Sequence, residues 1–316
     1  MSATTTGARP ALHGLSRRGN VGDRVLGTLT TAATAIILLM LVIVVGDVVI
    51  GGSRVISWEF ISAAPRKGMT EGGIFPAIFG TVALTLLMTV AAVPAGVATA
   101  VYLTEYASSE SRAARLVRVC IANLAGVPSI VFGLFGLGFF VSTVGRAIDR
   151  AAYGGRLTYG QPSLLWAALT LAILTLPVVV VATEEALRAV PRELRDASLA
   201  LGATKLQTIG RVVLPEALGG ILTGGILAVS RGAGEVAPIM FTGAAYFLPY
   251  LPTHLNDQFM NLGYHVYVLA TQSPDVDRTK PLLYGTVMVL LLLTFLLNLV
   301  AILIRLRTRR RLQPHG

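Results

Sequence analysis

Two opposite charges lie close together inside an apolar stretch of this sequence. Arg231 and Glu235 fall within residues 217–247, a run long enough to cross a membrane. An ionised side chain inside a membrane span is costly unless it is paired or hydrated, so such groups usually mark a substrate or ion path. Because the two residues are four positions apart, we expect them on one helix face, with Arg231 attracting an anion and Glu235 positioning or gating it. The alternative is a buried salt bridge that fixes helix register.

Upstream of this run, the polar segment 196–215 separates two apolar stretches and keeps a helical apolar period. One stripe, at spacings of three and four, comprises Leu187, Val190, Leu194, Ala197 and Leu201. Pro191 is expected to start a second short helix, and Gly202 to end it, because a left-handed closing residue costs little only without a Cβ. A short amphipathic helix with a sharp turn suits docking into a groove on a partner. The alternative is an ordinary solvated loop.

The same segment resembles the EAA loop of ABC-transporter permeases, whose cytoplasmic coupling helix sits on the ATPase subunit. The resemblance lies in Asp-Ala-Ser at 196–198, then Gly202, then Val-x-Leu-Pro at 212–215. Aspartate and serine stand where glutamate and alanine are commoner in that loop. The residues expected to couple to an ATPase are Leu194, Asp196, Ala197, Ser198, Leu201, Gly202, Leu214 and Pro215.

Composition supports a polytopic membrane protein. Of 316 residues, 54% are hydrophobic and 13% are charged, and the mean hydropathy is +0.71. A soluble chain of this size carries about a quarter charged residues. The single Cys120 excludes an internal disulfide, and the four histidines have no ligand spacing, so we expect no metal and no cofactor. No GxxxxGK[ST] motif occurs, so we expect a transport subunit rather than an enzyme, with ATP hydrolysed by separate ATPase subunits.

Six apolar stretches must position the charged pair and the coupling segment. Together they predict an all-α polytopic membrane protein with six transmembrane helices, and the resemblance to ABC-transporter permeases implies an ABC type-1 permease core. The predicted spans are 25–50, 74–103, 119–144, 164–183, 217–247 and 281–304. The expected organisation has four parts. These are a disordered tail (1–24), a first helix with an external loop (25–73), a permease core (74–304) with a coupling loop (184–216), and a basic tail (305–316).

Charge asymmetry predicts the orientation of these spans. The segments on one side hold 17 of the 26 lysines and arginines, and those on the other side hold 8. Because cytoplasmic segments are enriched in positive charge, we expect both termini and the coupling loop in the cytosol. Glu184 and Glu185 are expected to start the coupling segment near a helix N-terminus. The arginines of the last tail abut a span, so we expect them to anchor on the lipid bilayer, with no nucleic-acid partner.

Longer stretches resemble a permease subunit of the bacterial high-affinity phosphate importer, an ABC type-1 permease. They include GVPSIVFGLFG at 126–136, much of 176–243 with RGAGEVAPIMFTG, and YHVYVLATQSP before the last span. The resemblance covers most of residues 57–305. It implies that Arg231 and Glu235 match functionally important charges in the translocation path. Here Gly-Ala-Gly at 232–234 replaces the Ala-Ile-Gly that is common in the family.

The resemblance also implies a function and a set of partners. The chain would lie in the bacterial plasma membrane and form half of a phosphate path in an ATP-driven importer. The implied partners are a homologous PstC-like permease subunit, a PstB-like ABC ATPase dimer and a PstS-like external phosphate-binding protein. Two alternatives stay open: a permease for another oxyanion such as sulfate or molybdate, and a stand-alone secondary anion transporter. The coupling motif argues against the second.

Overall fold

The structure is a computed structural model that describes residues 21–108, 110–273 and 275–312. The predicted N-terminal tail up to residue 20, and residues 313–316 of the C-terminal tail, lie outside the described residues. The chain divides into two compact units, one up to Asp47 and the other from Val48 onward. Helix α1 (Val21–Ser53) supplies every described residue of the first unit. The side chains of residues 25–45 are mostly apolar and exposed, as expected for a helix that faces lipid.

The described residues form mainly helices, together with one small hairpin. The further helices are α2 (Trp58–Ser62), α3 (Phe75–Val101), α4 (Arg112–Ala125), α5 (Ser129–Phe135), α6 (Arg146–Ala152), α7 (Leu164–Ala189), α8 (Arg192–Ala200), α9 (Lys205–Thr208), α10 (Leu214–Gly232), α11 (Ala237–Thr242), α12 (Leu262–Thr271) and α13 (Val276–Leu312). π-Helical segments continue three of them, at Tyr102–Tyr106, Gly136–Gly145 and Ile209–Val213. Strands β1 (Pro65–Arg66) and β2 (Glu71–Gly72) pair antiparallel, with Pro65 opposite Gly72, around a turn at Lys67–Met69.

Six helical stretches in the described part of the chain are long and apolar enough to span a membrane. They are Gly22–Ser53, Phe75–Tyr106, Ser129–Ala152, Leu164–Ala189, Lys205–Ala233 and Val276–Thr308. The six-helix, all-α prediction is therefore confirmed. The last helix is longer at both ends than the predicted span 281–304.

The third predicted span, 119–144, is wrong at both ends. The chain breaks at Gly126–Pro128, and the apolar stretch runs from Ser129 to Ala152. Proline disfavours helical geometry in the residue before it, and Pro128 itself has an extended ψ of 139°. Residues 119–125 belong instead to α4, a separate amphipathic helix.

The fourth predicted span, 164–183, ends too early. Helix α7 continues to Ala189, so Glu184 and Glu185 lie in its last turns and do not start the coupling segment. The carboxylate of Glu184 is satisfied there: its oxygens lie 3.4 Å from Arg118 Nε and 2.9 Å from Arg188 Nη2. These ion pairs stabilise an acidic residue at a helix C-terminus, where the dipole alone disfavours it.

The fifth predicted span, 217–247, is two helices rather than one. Helix α10 ends at Gly232 and α11 begins at Ala237. Glycine is a poor helix former, and here Gly232 and Gly234 flank the point at which the helix ends. The prediction that Arg231 and Glu235 share one helix is therefore wrong, because Glu235 lies in the connection.

Helix α7 is the centre of the second unit and packs between α3 and α10. The contact with α10 is made by small residues. A Cβ added to Gly224 would stand 2.9 Å from Ala182 Cβ, and Gly220 faces Ala186 just as closely. Small residues allow this close approach of two helix backbones inside a membrane protein. At the end of these helices nearest α8, a buried cluster includes Ala100, Leu103, Leu187, Val190 and Val213.

Candidate functional site

The charged pair in the fifth span lies at a break between helices. Arg231 occupies the last turn of α10, and Glu235 follows it in the connection to α11. The distance from Arg231 Nε to Glu235 Oε1 is 3.6 Å, and 43% and 20% of the two side chains are exposed. A separation of 3.6 Å is too long for a hydrogen bond, so the N–H groups of the Arg231 guanidinium are not used in a hydrogen bond to Glu235. The two residues form an ion pair in which Glu235 is mostly buried and Arg231 is partly exposed.

A polar contact joins the neighbouring residue to the last helix. Asn298 of α13 donates a hydrogen bond from Nδ2 to Ser230 Oγ at 3.3 Å. Asn298 Oδ1 is buried and accepts no hydrogen bond from the described residues. Sequence reasoning missed Asn298, although an amide within an otherwise apolar span was a usable signal.

Helix α8, in the middle of the predicted coupling loop, is held by one arginine. Arg195 Nη2 donates to Glu105 Oε1 and to the carbonyl of Leu187, each at 2.8 Å. Arg195 Nη1 donates to the carbonyl of Val190 at 2.7 Å. The arginine therefore ties α8 to the end of α7 and to the π-helical extension of α3. Neither Arg195 nor Glu105 was among the predicted residues, and no sequence spacing links two residues 90 positions apart.

The chain turns sharply after α8, as the sequence predicts. Gly202 has a φ of +84°, a left-handed conformation that favours glycine, so its predicted role as helix terminator is confirmed. Thr204 then caps α9 in a reciprocal capping box with Gln207. The Ser198 and Thr208 hydroxyls are 2.9 Å apart and hold the two helices together. We call residues 192–208 the α8–α9 elbow.

The elbow presents leucines to its surroundings. Leu201 is 89% exposed and Leu206 is 72% exposed, and Leu194 and Leu199 are also exposed. The predicted stripe is not continuous, because Leu187 and Val190 are buried in the core before the chain turns. Pro191 separates the two halves at the N-cap of α8, which confirms its predicted position.

The structure brings most of the predicted coupling residues together. Leu194, Asp196, Ala197, Ser198, Leu201 and Gly202 all lie on the elbow, and all but Ser198 are exposed. Leu214 and Pro215 begin α10, where both are half-buried and Leu214 packs against the core. Arg231 and Glu235 lie at the other end of α10 from the elbow. A single helix thus joins the two candidate sites.

Six helices that are long and apolar enough to cross a membrane, in the part of the chain that the structure describes, define the class: a polytopic membrane protein. The chain matches the family described as "Binding-protein-dependent transport system inner membrane component" over residues 92–313, and it belongs to that family. It is thus a permease subunit of an ABC transporter.

Named relatives are similar over most of the chain. It is 37% identical over 245 residues to "Phosphate transport system permease protein PstA 1" of Mycobacterium tuberculosis, covering 77% of this chain and 73% of that protein. It is 32% identical over 242 residues to "Phosphate transport system permease protein PstA" of Yersinia pestis, covering 77% and 75%. These likenesses bear out the resemblance to phosphate-importer permeases.

A solved transporter is similar in fold. One chain of a bacterial alginate ABC transporter, solved with an alginate-bound periplasmic protein, is 16% identical with a TM-score of 0.64. The likeness covers 93% of this chain and 96% of that one. At this identity it concerns the arrangement of helices and carries no information on substrate.

Proposed function

We propose that this chain is the transmembrane permease subunit of an ATP-driven inorganic phosphate importer and forms half of the translocation path. The observation that carries the proposal is the likeness, at 32–37% identity over more than three quarters of the chain, to proteins named as phosphate transport permeases. The half-exposed arginine at a helix break supports the same reading, because a guanidinium binds phosphate through a fixed fork of donors.

In this proposal, Arg231 attracts the anion in the path and Glu235 limits how tightly it is held. The 3.6 Å spacing leaves the guanidinium free to exchange its carboxylate for a passing oxyanion. A fully paired arginine would have to break two good hydrogen bonds first. Glu235 belongs to the connection between α10 and α11, Ala233 to Val236. A movement of this connection would therefore shift the Glu235 carboxylate without bending α10.

Coupling to ATP hydrolysis takes place at the α8–α9 elbow, where exposed leucines would dock into a groove of an ATPase dimer. Burying an apolar side chain yields roughly 2 kcal/mol, so the exposed leucines provide a substantial binding surface. Leu194, Asp196, Ala197, Ser198, Leu201 and Gly202 form this surface, and Leu214 and Pro215 connect it to α10. Movement of the elbow would pass through α10 to the charged pair. ATP hydrolysis itself belongs to the ATPase subunits.

The assembly requires a defined orientation and further partners. The excess of lysine and arginine on the elbow side supports a cytosolic elbow and cytosolic termini in the plasma membrane. The divisions 25–73, 74–304 and 305–316 are part of this proposal, although α13 extends to Leu312, and the coupling segment within 184–216 begins after α7 ends at Ala189. The partners in this proposal are a homologous permease, the ATPase dimer, and an external phosphate-binding protein that delivers substrate.

The test is uptake by the reconstituted complex. We expect ATP-dependent uptake of labelled phosphate. Excess unlabelled phosphate should inhibit this uptake, whereas sulfate or molybdate at the same concentration should not. Inhibition by sulfate or molybdate instead would identify a permease for another oxyanion. Uptake that proceeds without the ATPase subunits would contradict the proposal and identify a secondary transporter.

A further inference from the structure

A large cavity lies behind the α8–α9 elbow, and Asp196 is the one described lining residue that also has a role in the proposed transport mechanism. Its volume is about 720 Å³, and it opens between the end of α3, helix α4, the end of α7 and α8. Four arginines line it, Arg118, Arg188, Arg192 and Arg195, together with the carboxylates of Glu105 and Asp196. We call it the arginine cavity.

The four arginines differ in how far they are already satisfied. Arg195 is bonded to a carboxylate and two carbonyls. Arg118 and Arg188 share the single carboxylate of Glu184, Arg118 Nη2 also donates to the carbonyl of Leu103 at 2.6 Å, and Arg188 is 59% exposed. Arg192 is exposed, and none of the described carboxylates forms an ion pair with it. The carboxylates of Glu105, Glu184 and Asp196 offset three of the four arginine charges, so the cavity keeps a positive excess of one charge, and among the described residues Arg192 is the lining arginine without an ion pair.

The cavity lies at the level where membrane helices end. The apolar stretches Phe75–Tyr106 and Leu164–Ala189 both finish at its wall. Helix α4 forms another wall and is amphipathic: it exposes Leu116 and Val119 while it carries Arg118 into the cavity. Amphipathic helices with arginines on the polar face lie in the headgroup region of a bilayer. The positive excess is therefore at the depth of lipid phosphates.

We propose that the arginine cavity binds a phosphate-bearing anion, either a lipid headgroup or free phosphate. Guanidinium groups bind phosphate oxygens by paired, charge-assisted hydrogen bonds, and basic pockets between the cytoplasmic ends of membrane helices bind anionic headgroups. The volume lies in the range of sites for small organic ligands and accommodates a glycerophosphate headgroup.

A ligand there would contact α8 through Arg192 and the end of α7 through Arg188. It would thereby hold the elbow against the membrane helices and add to the tie that Arg195 already makes. This inference concerns binding beside the coupling segment and stands whether or not the chain transports phosphate.

The test measures binding to the purified full-length chain. Thermal stability is recorded in phosphatidylcholine nanodiscs with and without phosphatidylglycerol, and separately with added inorganic phosphate against sodium chloride of equal ionic strength. The test variants are Arg192→Gln alone and with Arg188→Gln. The matched control is Arg211→Gln, because Arg211 is an exposed arginine of the same loop and does not line the cavity.

We expect stabilisation of the wild type by one of the two probes, with apparent affinity roughly tenfold lower in Arg192→Gln and lower still in the double variant. Stabilisation by phosphatidylglycerol alone identifies a lipid headgroup, and stabilisation by inorganic phosphate identifies the free anion. The Arg211→Gln variant should behave as the wild type.

Several results would overturn the proposal. One is the absence of stabilisation by either probe, and another is an equal loss in Arg211→Gln, which would indicate general surface charge. A phosphate effect that survives in the cavity variants but disappears in Arg231→Gln would belong to the transport path. Cavity variants that change only the association with the ATPase would identify a protein contact instead.

Discussion

Arg195 Nη2 lies 2.8 Å from Glu105 Oε1, and only 19% and 10% of the two side chains are exposed. This mostly buried ion pair joins the exposed elbow to the π-helical extension of α3, across 90 residues of sequence. Removal of one partner from such a pair leaves an uncompensated charge, which costs more than the pair contributes. The elbow therefore cannot shift independently of α3 while this pair is intact.

The first prediction concerns this pair. Arg195→Met should destabilise the chain by about 2 to 3 kcal/mol, because Glu105 loses its counter-charge and two carbonyls lose their donor. Thermal melts in detergent measure the loss, with Arg211→Met as the control for removing an exposed arginine. Adding Glu105→Gln should restore part of the stability. A double variant that is as unstable as the sum of the two single variants would show that the pair contributes nothing by itself.

The second prediction concerns docking of the elbow. Leu201→Asp should reach the membrane at normal levels but lose association with the ATPase by at least about tenfold, because an unpaired carboxylate would be buried in an apolar groove. Co-purification with the ATPase is the measurement. Leu157→Asp is the control, because Leu157 is 62% exposed on the connection between α6 and α7. Wild-type association and uptake in Leu201→Asp would exclude the elbow as the docking element.

The third prediction separates a path from a scaffold. Arg231→Gln and Glu235→Gln, singly and together, should leave membrane abundance normal and reduce phosphate uptake by at least about tenfold, because the anion loses its charged donor or the group that releases it. If the pair only fixes helix geometry, the double variant should recover near-normal uptake.

The matched control for that experiment is the pair of Arg278, in the first turn of α13, and Asp275, just before that helix, whose Nε and Oδ2 atoms are 3.3 Å apart. Arg278→Gln with Asp275→Asn removes the same two charges outside the proposed path. Uptake should be unchanged in this variant.

The fourth prediction tests the orientation. In a Cys120→Ser background, cysteines introduced by Thr204→Cys and Arg307→Cys should be protected from an impermeant thiol reagent in intact cells. A cysteine introduced by Asp277→Cys should react. All three positions are exposed, so protection reports the side of the membrane rather than burial. Labelling at position 204 from outside would reverse the proposed arrangement.

The fifth prediction concerns pH. Burial lowers the pKa of His265 from 6.5 to about 4. A base whose pKa is depressed by folding stabilises the fold above its unfolded pKa, and this stability is lost as pH falls from about 6.5 towards 4. At pH 5 the loss should be about 2 kcal/mol relative to pH 7. Thermal melts of the wild type should show this loss, and His265→Leu should remove it. His254→Gln, at an exposed histidine, should keep the pH dependence.

The sequence predicted features that depend on local backbone chemistry. Pro191 and Gly202 bound the short helix as expected, because the first lacks an amide donor and the second adopts a positive φ at little cost. The six spans followed from apolar length alone. The ends of two spans were predicted wrongly, because apolar composition continues through Gly126–Pro128 and past Gly232, and the proline and glycines at these points were not given enough weight as helix breakers.

Contacts between distant residues could not be predicted. Glu105 and Arg195 each look like a solvated charge in sequence, and only the packing of α3 against α7 brings them together. Glu184 was misplaced for a similar reason, since its two arginine partners compensate an acidic residue where the helix dipole disfavours it. Local sequence patterns describe single helices, whereas these ion pairs depend on how the helices pack against one another.

The exposed leucines of the elbow also have a consequence for the cell. If the elbow docks on an ATPase as proposed, a copy of this chain without that partner leaves Leu201 and Leu206 exposed to water. Uncovered apolar patches are what chaperones and proteases recognise, and they promote aggregation. Surplus copies would thus be distinguishable from assembled ones, and the abundance of this subunit would follow the supply of its partners without a separate regulator.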